Sequence, residues 1–177
     1  CAQARDGVDL RALVEHLLED PDTDVRRAAI ALLPRCGSTD ALARLTPLAT
    51  GSSDPSTRRV AIHALGELGE PSEAVLGAML GRLDDLPSAL RLDVLDAAQA
   101  SGSPSLAAAL AARDAALPRD DRLARDRVCL DGGDPAQGRR IFEERQDVSC
   151  VRCHAVAGVG GTVGPSLDGL AKRSTPD

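Results

Sequence analysis

Apolar residues recur at helical spacing along most of the chain, and the pattern itself repeats. Arg27, Arg59 and Arg91 stand 32 residues apart, and the same offset links Asp24, Ser56 and Ser88, and then Ile30, Ile62 and Val94. Pro55 and Pro87 fall in one register just ahead of the second and third copies. The blocks 24–33, 56–65 and 88–97 each open on a residue of N-cap type and continue with apolar side chains three and four positions apart, which predicts an amphipathic helix. Other helical patterns alternate with these, from about Val8 to Glu19, Thr39 to Ala49, Ser72 to Leu83 and Ser103 to Ala115, with a last one near Arg119 to Leu130. Breakers such as Pro21, Gly37, Gly51, Gly69, Pro71, Pro87, Gly102 and Pro118 separate them. Helices this short cannot bury their apolar faces alone. The expectation over residues 1–130 is therefore an all-α, right-handed solenoid of about four stacked helix pairs, with a non-repeating helical bundle as its rival.

An acid or serine followed by arginine and a run of small apolar residues resembles the second helix of HEAT repeats, over roughly residues 8–130. The resemblance implies a scaffold or docking surface and leaves the chemistry open. Composition fits closely packed helices. Hydrophobic residues make up 43%, but with one Phe, one Met and neither Tyr nor Trp the core must be built from Ala, Leu, Val and Ile. A formal net charge of −6 argues against a phosphate-binding surface, so no nucleic acid is expected as partner. No apolar run approaches the ~18 residues that a membrane span needs.

The character of the chain changes after Cys129, and a second domain is expected over 131–177. Asp131-Gly132-Gly133-Asp134-Pro135 is a turn cluster in which Pro135 suits the first position of a helix capped by Asp134. That helix carries Gly138 and Phe142 on one face, Gly138 allowing a second helix to come close. Next comes Cys150-Val151-Arg152-Cys153-His154, a C-x-x-C-H run that reads as a covalent attachment site for one c-type haem. Two thiols at this spacing can add to the two vinyl groups on one porphyrin edge. The adjacent His154 can then bind the iron as proximal ligand. Residues 158–170 follow as an irregular, glycine-dense wrap, whose glycines let backbone approach a flat cofactor.

Gly164-Pro165-x-Leu167 resembles the Gly-Pro-x-Leu of class I cytochromes c. That resemblance implies that the carbonyl of Pro165 accepts the Nδ1–H of His154, orienting the ring; Phe142, from its place on the helix face, is expected to pack beside the macrocycle. The whole run, from Gly132-Gly133-Asp134 through Gly138-Arg139-x-Ile141-Phe142 and the C-x-x-C-H to Gly160-Gly161-x-Val163-Gly164-Pro165-x-Leu167, is similar to the haem-binding domain of large planctomycete-type proteins. In that family the domain commonly follows HEAT-like repeats and, before them, a β-propeller like that of PQQ-type sugar dehydrogenases. The resemblance implies an electron-transfer module from a larger exported, periplasmic oxidoreductase, with a redox protein or an adjacent dehydrogenase domain as partner. No catalytic residue of its own is expected. A class I domain also takes more residues than follow Gly133, together with a distal ligand, often Met. A truncated haem domain is therefore expected, with the distal ligand unassigned and the iron five-coordinate or adventitiously ligated.

Other readings stand beside these. C-x-x-C-H could be half a zinc site with Cys129 as a further ligand, or a vestige on a protein-interaction scaffold. A thioredoxin-like redox pair would need a βαβ context and a helix start at the first thiol, and neither is expected here. Met79 reads as core, Cys36 as a buried or half-buried thiol, and Cys129 as a structural residue closing the last repeat. His16 and His63 read as surface or satisfied histidines, and the repeated arginines as partners of loop carbonyls and carboxylates. Asp84-Asp85 and Asp120-Asp121 read as helix ends or caps. Cys1 leaves open a lipidated N-terminus.

Overall fold

In a computed structural model, which describes residues 9–36, 38–121, 123–131 and 135–173 (of Ala171 and Arg173 the backbone alone), the 32-residue period becomes a series of helical hairpins. The chain divides into two compact units, Cys1–Val128 and Cys129–Asp177. The first is built from α1 (Leu10–Leu17), α2 (Thr23–Leu32), α3 (Ala41–Gly51), α4 (Pro55–Leu68), α5 (Glu73–Leu80), α6 (Ser88–Ala100) and α7 (Pro104–Ala116). Antiparallel pairs form from α1 with α2, α3 with α4 and α5 with α6, and α2, α4 and α6 pack one on the next. No described helix is long and apolar enough to cross a membrane.

The residues of the repeat register do different jobs from those expected at the helix starts. Asp24, Ser56 and Ser88 lie inside the first turns; the caps of α2 and α4 are Asp22 and Asp54, two positions earlier. Asp54 accepts from the backbone N–H of Ser56 and Thr57 and from the Thr57 hydroxyl, at 3.2, 3.0 and 2.6 Å. The hydroxyl bond is the main reason its carboxyl stays below the usual carboxylate range. In the third copy the register places Leu86 here, and α6 starts behind Pro87 with no side-chain cap. The arginines behave as expected. Arg27 pairs with Asp24 and Asp54, Arg59 reaches Asp93, and Arg91 donates to the carbonyls of Leu86 and Asp84.

The first expected helix, from about Val8 to Glu19, is shorter, since Asp9 caps it and it ends at Leu17; Val8 lies outside the described residues. The third runs past the expected end at Ala49 to stop on Gly51, and it contains Pro47, which has no N–H to offer the carbonyl of Ala43. The hydroxyls of Thr46 and Thr50 bond carbonyls four residues back on either side of it, each at 2.8 Å. The fourth pair is incomplete. Among the described residues from Arg119 to Leu130 no α-helix forms; a 3₁₀ segment, Asp126–Leu130, is found instead. The cause is local, because Asp121 accepts the N–H of Leu123 at 2.9 Å and binds Arg127, and this charged stretch has no apolar stripe to bury.

The core of the first unit follows the period. Ile30, Ile62 and Val94 are buried, as are Leu33, Leu65 and Ala97 one turn later, with Met79 from α5. Gly66 lets α4 close on α6, because a Cβ there would come within 2.8 Å of the Ala97 carbonyl oxygen. Cys36 is buried, which pushes its thiol pKa up. Ser103 is buried too; it caps α7 and donates to Glu73 at 2.6 Å, tying α7 to α5.

Asp93 breaks the apolar pattern. It occupies the register of Ala29 and Ala61 but is a carboxylate only 9% exposed. Arg59 Nε donates to it at 3.1 Å, and His63 Nε2 lies 2.9 Å from its other oxygen. That bond raises the His63 pKa against the opposing effect of burial; the charges of Asp93 and Asp96 add to the rise and that of Arg59 subtracts. Because the folded value lies above the unfolded one, the stabilisation is complete below about pH 6.5 and is lost as pH rises through the folded value. Thermal midpoints in mildly acidic and mildly alkaline buffer should show the first unit losing stability on the alkaline side. His63→Ala should remove most of that difference.

The second unit holds α8 (Pro135–Glu144), a 3₁₀ turn at Cys150–Arg152, a hairpin of β1 (Ala155–Val156) and β2 (Val159–Gly160), and α9 (Leu170–Arg173). The hairpin is a short local element in a chain that is otherwise helical, as expected. Its two-residue turn, Ala157-Gly158, has φ of 53° and 76°, both positive, as a primed turn requires. None of this unit's described residues is buried. Pro135 opens α8 as expected, while its expected cap, Asp134, lies outside the described residues. Gly138 faces open space, so the expected close helix contact there does not form.

Candidate functional site

The segment 150–154 is shaped by its own backbone first. Ser149 takes a left-handed conformation, φ 49°, and turns the chain into the 3₁₀ segment. The N–H groups of Cys153 and His154 both bond the carbonyl of Cys150, at 3.2 and 3.0 Å. The two thiols therefore leave a single turn, Cys150 half-buried and Cys153 exposed, with His154 half-buried directly after them. A helical start at the first thiol was not expected; it is one 3₁₀ turn, with no βαβ unit around it.

The glycine-dense wrap lies against this turn. Gly161 N–H bonds the Val151 carbonyl and Gly164 N–H the Cys153 carbonyl, each at 2.7 Å. The surface these glycines approach is thus the motif's own backbone. A Cβ at Gly160 would sit 2.2 Å from the His154 carbonyl oxygen, and one at Gly161 2.0 Å from that of Arg152. At Gly164 it would come within 2.7 Å of the His154 ring.

His154 Nδ1 lies 2.9 Å from the carbonyl oxygen of Pro165. A carbonyl can only accept, so Nδ1 carries the proton, and in the neutral ring Nε2 keeps its lone pair. The structure thus brings Cys150, Cys153, His154 and Pro165 into one segment. Phe142 is half-buried on α8. Cys129 is exposed, which corrects its expected structural role. Among the described residues no three His, Cys, Asp or Glu side chains gather to hold a metal ion, so Cys129 does not complete a zinc set with the motif.

A family profile for HEAT repeats matches residues 10–99. The chain belongs to the HEAT-repeat family. No curated protein matches the chain, and no solved structure does. The family covers α1 to α6, which in this HEAT-repeat chain hold His16, His63 and Met79. His16 is exposed on α1, His63 is tied to Asp93, and Met79 is buried. An apolar groove of about 510 Å³ runs between α3 and α5, floored by Val75, Ala78 and Met79 and edged by Arg58 and Arg82. Sequence reasoning passed over the groove, and it passed over Ser166 and Asp168, which hold the loop beside His154. For Asp168 the available signal was a carboxylate in a stretch otherwise made of small residues.

Proposed function

We propose that the second unit carries one covalently bound haem c, and that the chain is an electron-transfer module on a HEAT-repeat scaffold. The observation that carries this reading is the 2.9 Å contact between His154 Nδ1 and the Pro165 carbonyl. It leaves Nε2 as a metal-ligand atom one residue past two free thiols on a single turn. The donor set suits haem better than a bare ion, since it offers a single imidazole with thiols for attachment. The apolar side chains also suit it. Ile141, Val156, Val159, Val163 and Leu170 are exposed, with surface left to bury against a large apolar group.

When bound, the haem supplies an iron that takes up and returns one electron at a time. The chain's own residues do the rest. The thiols of Cys150 and Cys153 would hold the group covalently, each through one thioether bond. His154 would bind the iron through Nε2. The Pro165 carbonyl sets the rotation of the imidazole and raises its basicity. Phe142 offers an aromatic face to the macrocycle. Met79 belongs to the core of the first unit. The partner is a redox protein or an adjacent dehydrogenase domain, and the compartment is outside the cytoplasm, where such thiols are joined to haem.

Protein made in a periplasm competent for c-type maturation should show a c-type spectrum whose haem survives acid–acetone extraction. Extractable or absent haem would sink the reading. Family membership favours a second reading, an interaction scaffold whose motif is vestigial. That reading requires unchanged partner binding and no redox phenotype after Cys150→Ala and Cys153→Ala.

A further inference from the structure

The contact between His154 and Pro165 is one end of a ladder of bonds, in which the Ser166 hydroxyl also lies 3.4 Å from the Ala155 carbonyl. Beyond it, Leu167 N–H donates to the Ala155 carbonyl at 2.9 Å, and Ala157 N–H donates to Asp168 Oδ1 at 2.7 Å. The rungs join segments 154–157 and 165–168, and a side chain supplies the outer bond at each end. Asp168 also folds back on its own loop. Its Oδ2 accepts from the Ser166 hydroxyl at 3.0 Å, and the same hydroxyl oxygen accepts from Asp168 N–H at 3.1 Å. On the opposite side Ala157 has a left-handed backbone, which an alanine adopts only under restraint. The bond from its N–H to Asp168 provides that restraint.

We infer that Asp168 is a positioning residue for His154. It locks segment 165–168 to the hairpin turn, so that the Pro165 carbonyl stays opposite Nδ1–H and Nε2 keeps one direction. The inference deepens the haem reading and rests on it for its purpose, but the clamp is a property of the chain alone. Leu167 and Ala155 bond through backbone atoms and survive any side-chain change, so loss of Asp168 loosens the ladder from one end.

The test is nuclear magnetic resonance on the full-length, haem-free chain, reading the His154 Nδ1–H proton. In Asp168→Ala this proton should exchange roughly tenfold faster or more, as expected when a bond to a charged acceptor is lost. Asp168→Asn should restore most of the protection, because its amide oxygen still accepts from Ala157 and its NH₂ can donate to Ser166. The amides of Gly161 and Gly164 should stay protected in both variants. An unchanged Nδ1–H in Asp168→Ala overturns the inference, and so does loss of protection at Gly161 and Gly164 alongside it, which would mark a merely structural role. In haem-loaded protein a looser Nδ1–H bond makes the imidazole less basic, so Asp168→Ala should raise the reduction potential and Asp168→Asn should return it. A potential that does not move overturns the positioning role. If no haem attaches while the exchange pattern holds, the haem reading fails and the clamp stands.

Discussion

Gly161→Ala is expected to open the loop that encloses Cys150–His154. The new methyl carbon would lie 2.0 Å from the carbonyl oxygen of Arg152, 2.5 Å from its carbon and 3.0 Å from the Cys153 nitrogen. All three are backbone atoms, so no rotamer change relieves the collision. The chain must move, and the 2.7 Å bond from Gly161 N–H to the Val151 carbonyl goes with it. Overpacking of this kind costs about 3 kcal/mol at the upper end of its usual range. The second unit has no buried side chain among its described residues to offset that. Hydrogen exchange should show lost protection at Gly164, and the yield of covalent haem under maturation should collapse. Gly138→Ala is the control. Its Cβ meets nothing within 4 Å, so it should be neutral or stabilise α8 by up to about 1 kcal/mol. Native exchange and normal haem yield in Gly161→Ala would contradict this account of the wrap.

Leu65→Ala should be the most damaging simple truncation in the HEAT-repeat unit. Leu65 is fully buried on α4, the helix that packs on α2, α3 and α6 at once. Emptying such a site costs about 2–5 kcal/mol, through lost transfer energy and the cavity left behind. Small domains have only about 5–15 kcal/mol in total. With α3 and α6 both resting on α4, the surroundings cannot collapse into the gap without loosening the α3–α4 pair or the junction of α4 with α6. Thermal unfolding followed by circular dichroism should show the midpoint falling by roughly 10 °C or more. Leu13→Ala, at a side chain 42% exposed on α1, should move it by a small fraction of that. Equal effects of the two substitutions would show that the buried period does not carry the stability.

The helical hairpins could be read in the sequence because burial imposes a period and the period repeats. Ile30, Ile62 and Val94 mark the same buried position three times. What escaped that reading depends on single contacts. Whether Asp22 or Asp24 caps α2 turns on one backbone angle, although the matching Asp54 at the 32-residue offset was a usable hint. The segment from Arg119 to Leu130 is mostly charged, and its turn comes from one aspartate competing with the helix. The hairpin at 155–160 is too short for alternation to show, and Ala157 is not a residue that announces a primed turn. At the site, chemical spacing made Cys150, Cys153 and His154 visible, and the resemblance of Gly164-Pro165-x-Leu167 to a known element pointed to Pro165. Asp168 acts through geometry that only the folded loop displays.

Asp93 bears on how many modules the array can hold. Excising residues 56–87 would join Pro55 to Ser88, preserve the phase of every remaining helix and hand α6 the Asp54 cap it now lacks. Asp93 would then meet Arg27 and Ala31, the register partners of Arg59 and His63, and lose one of its two ligands. An interchangeable stack tolerates slippage in copy number; this one has a keyed joint. The order of its second and third modules is written into a single buried carboxylate.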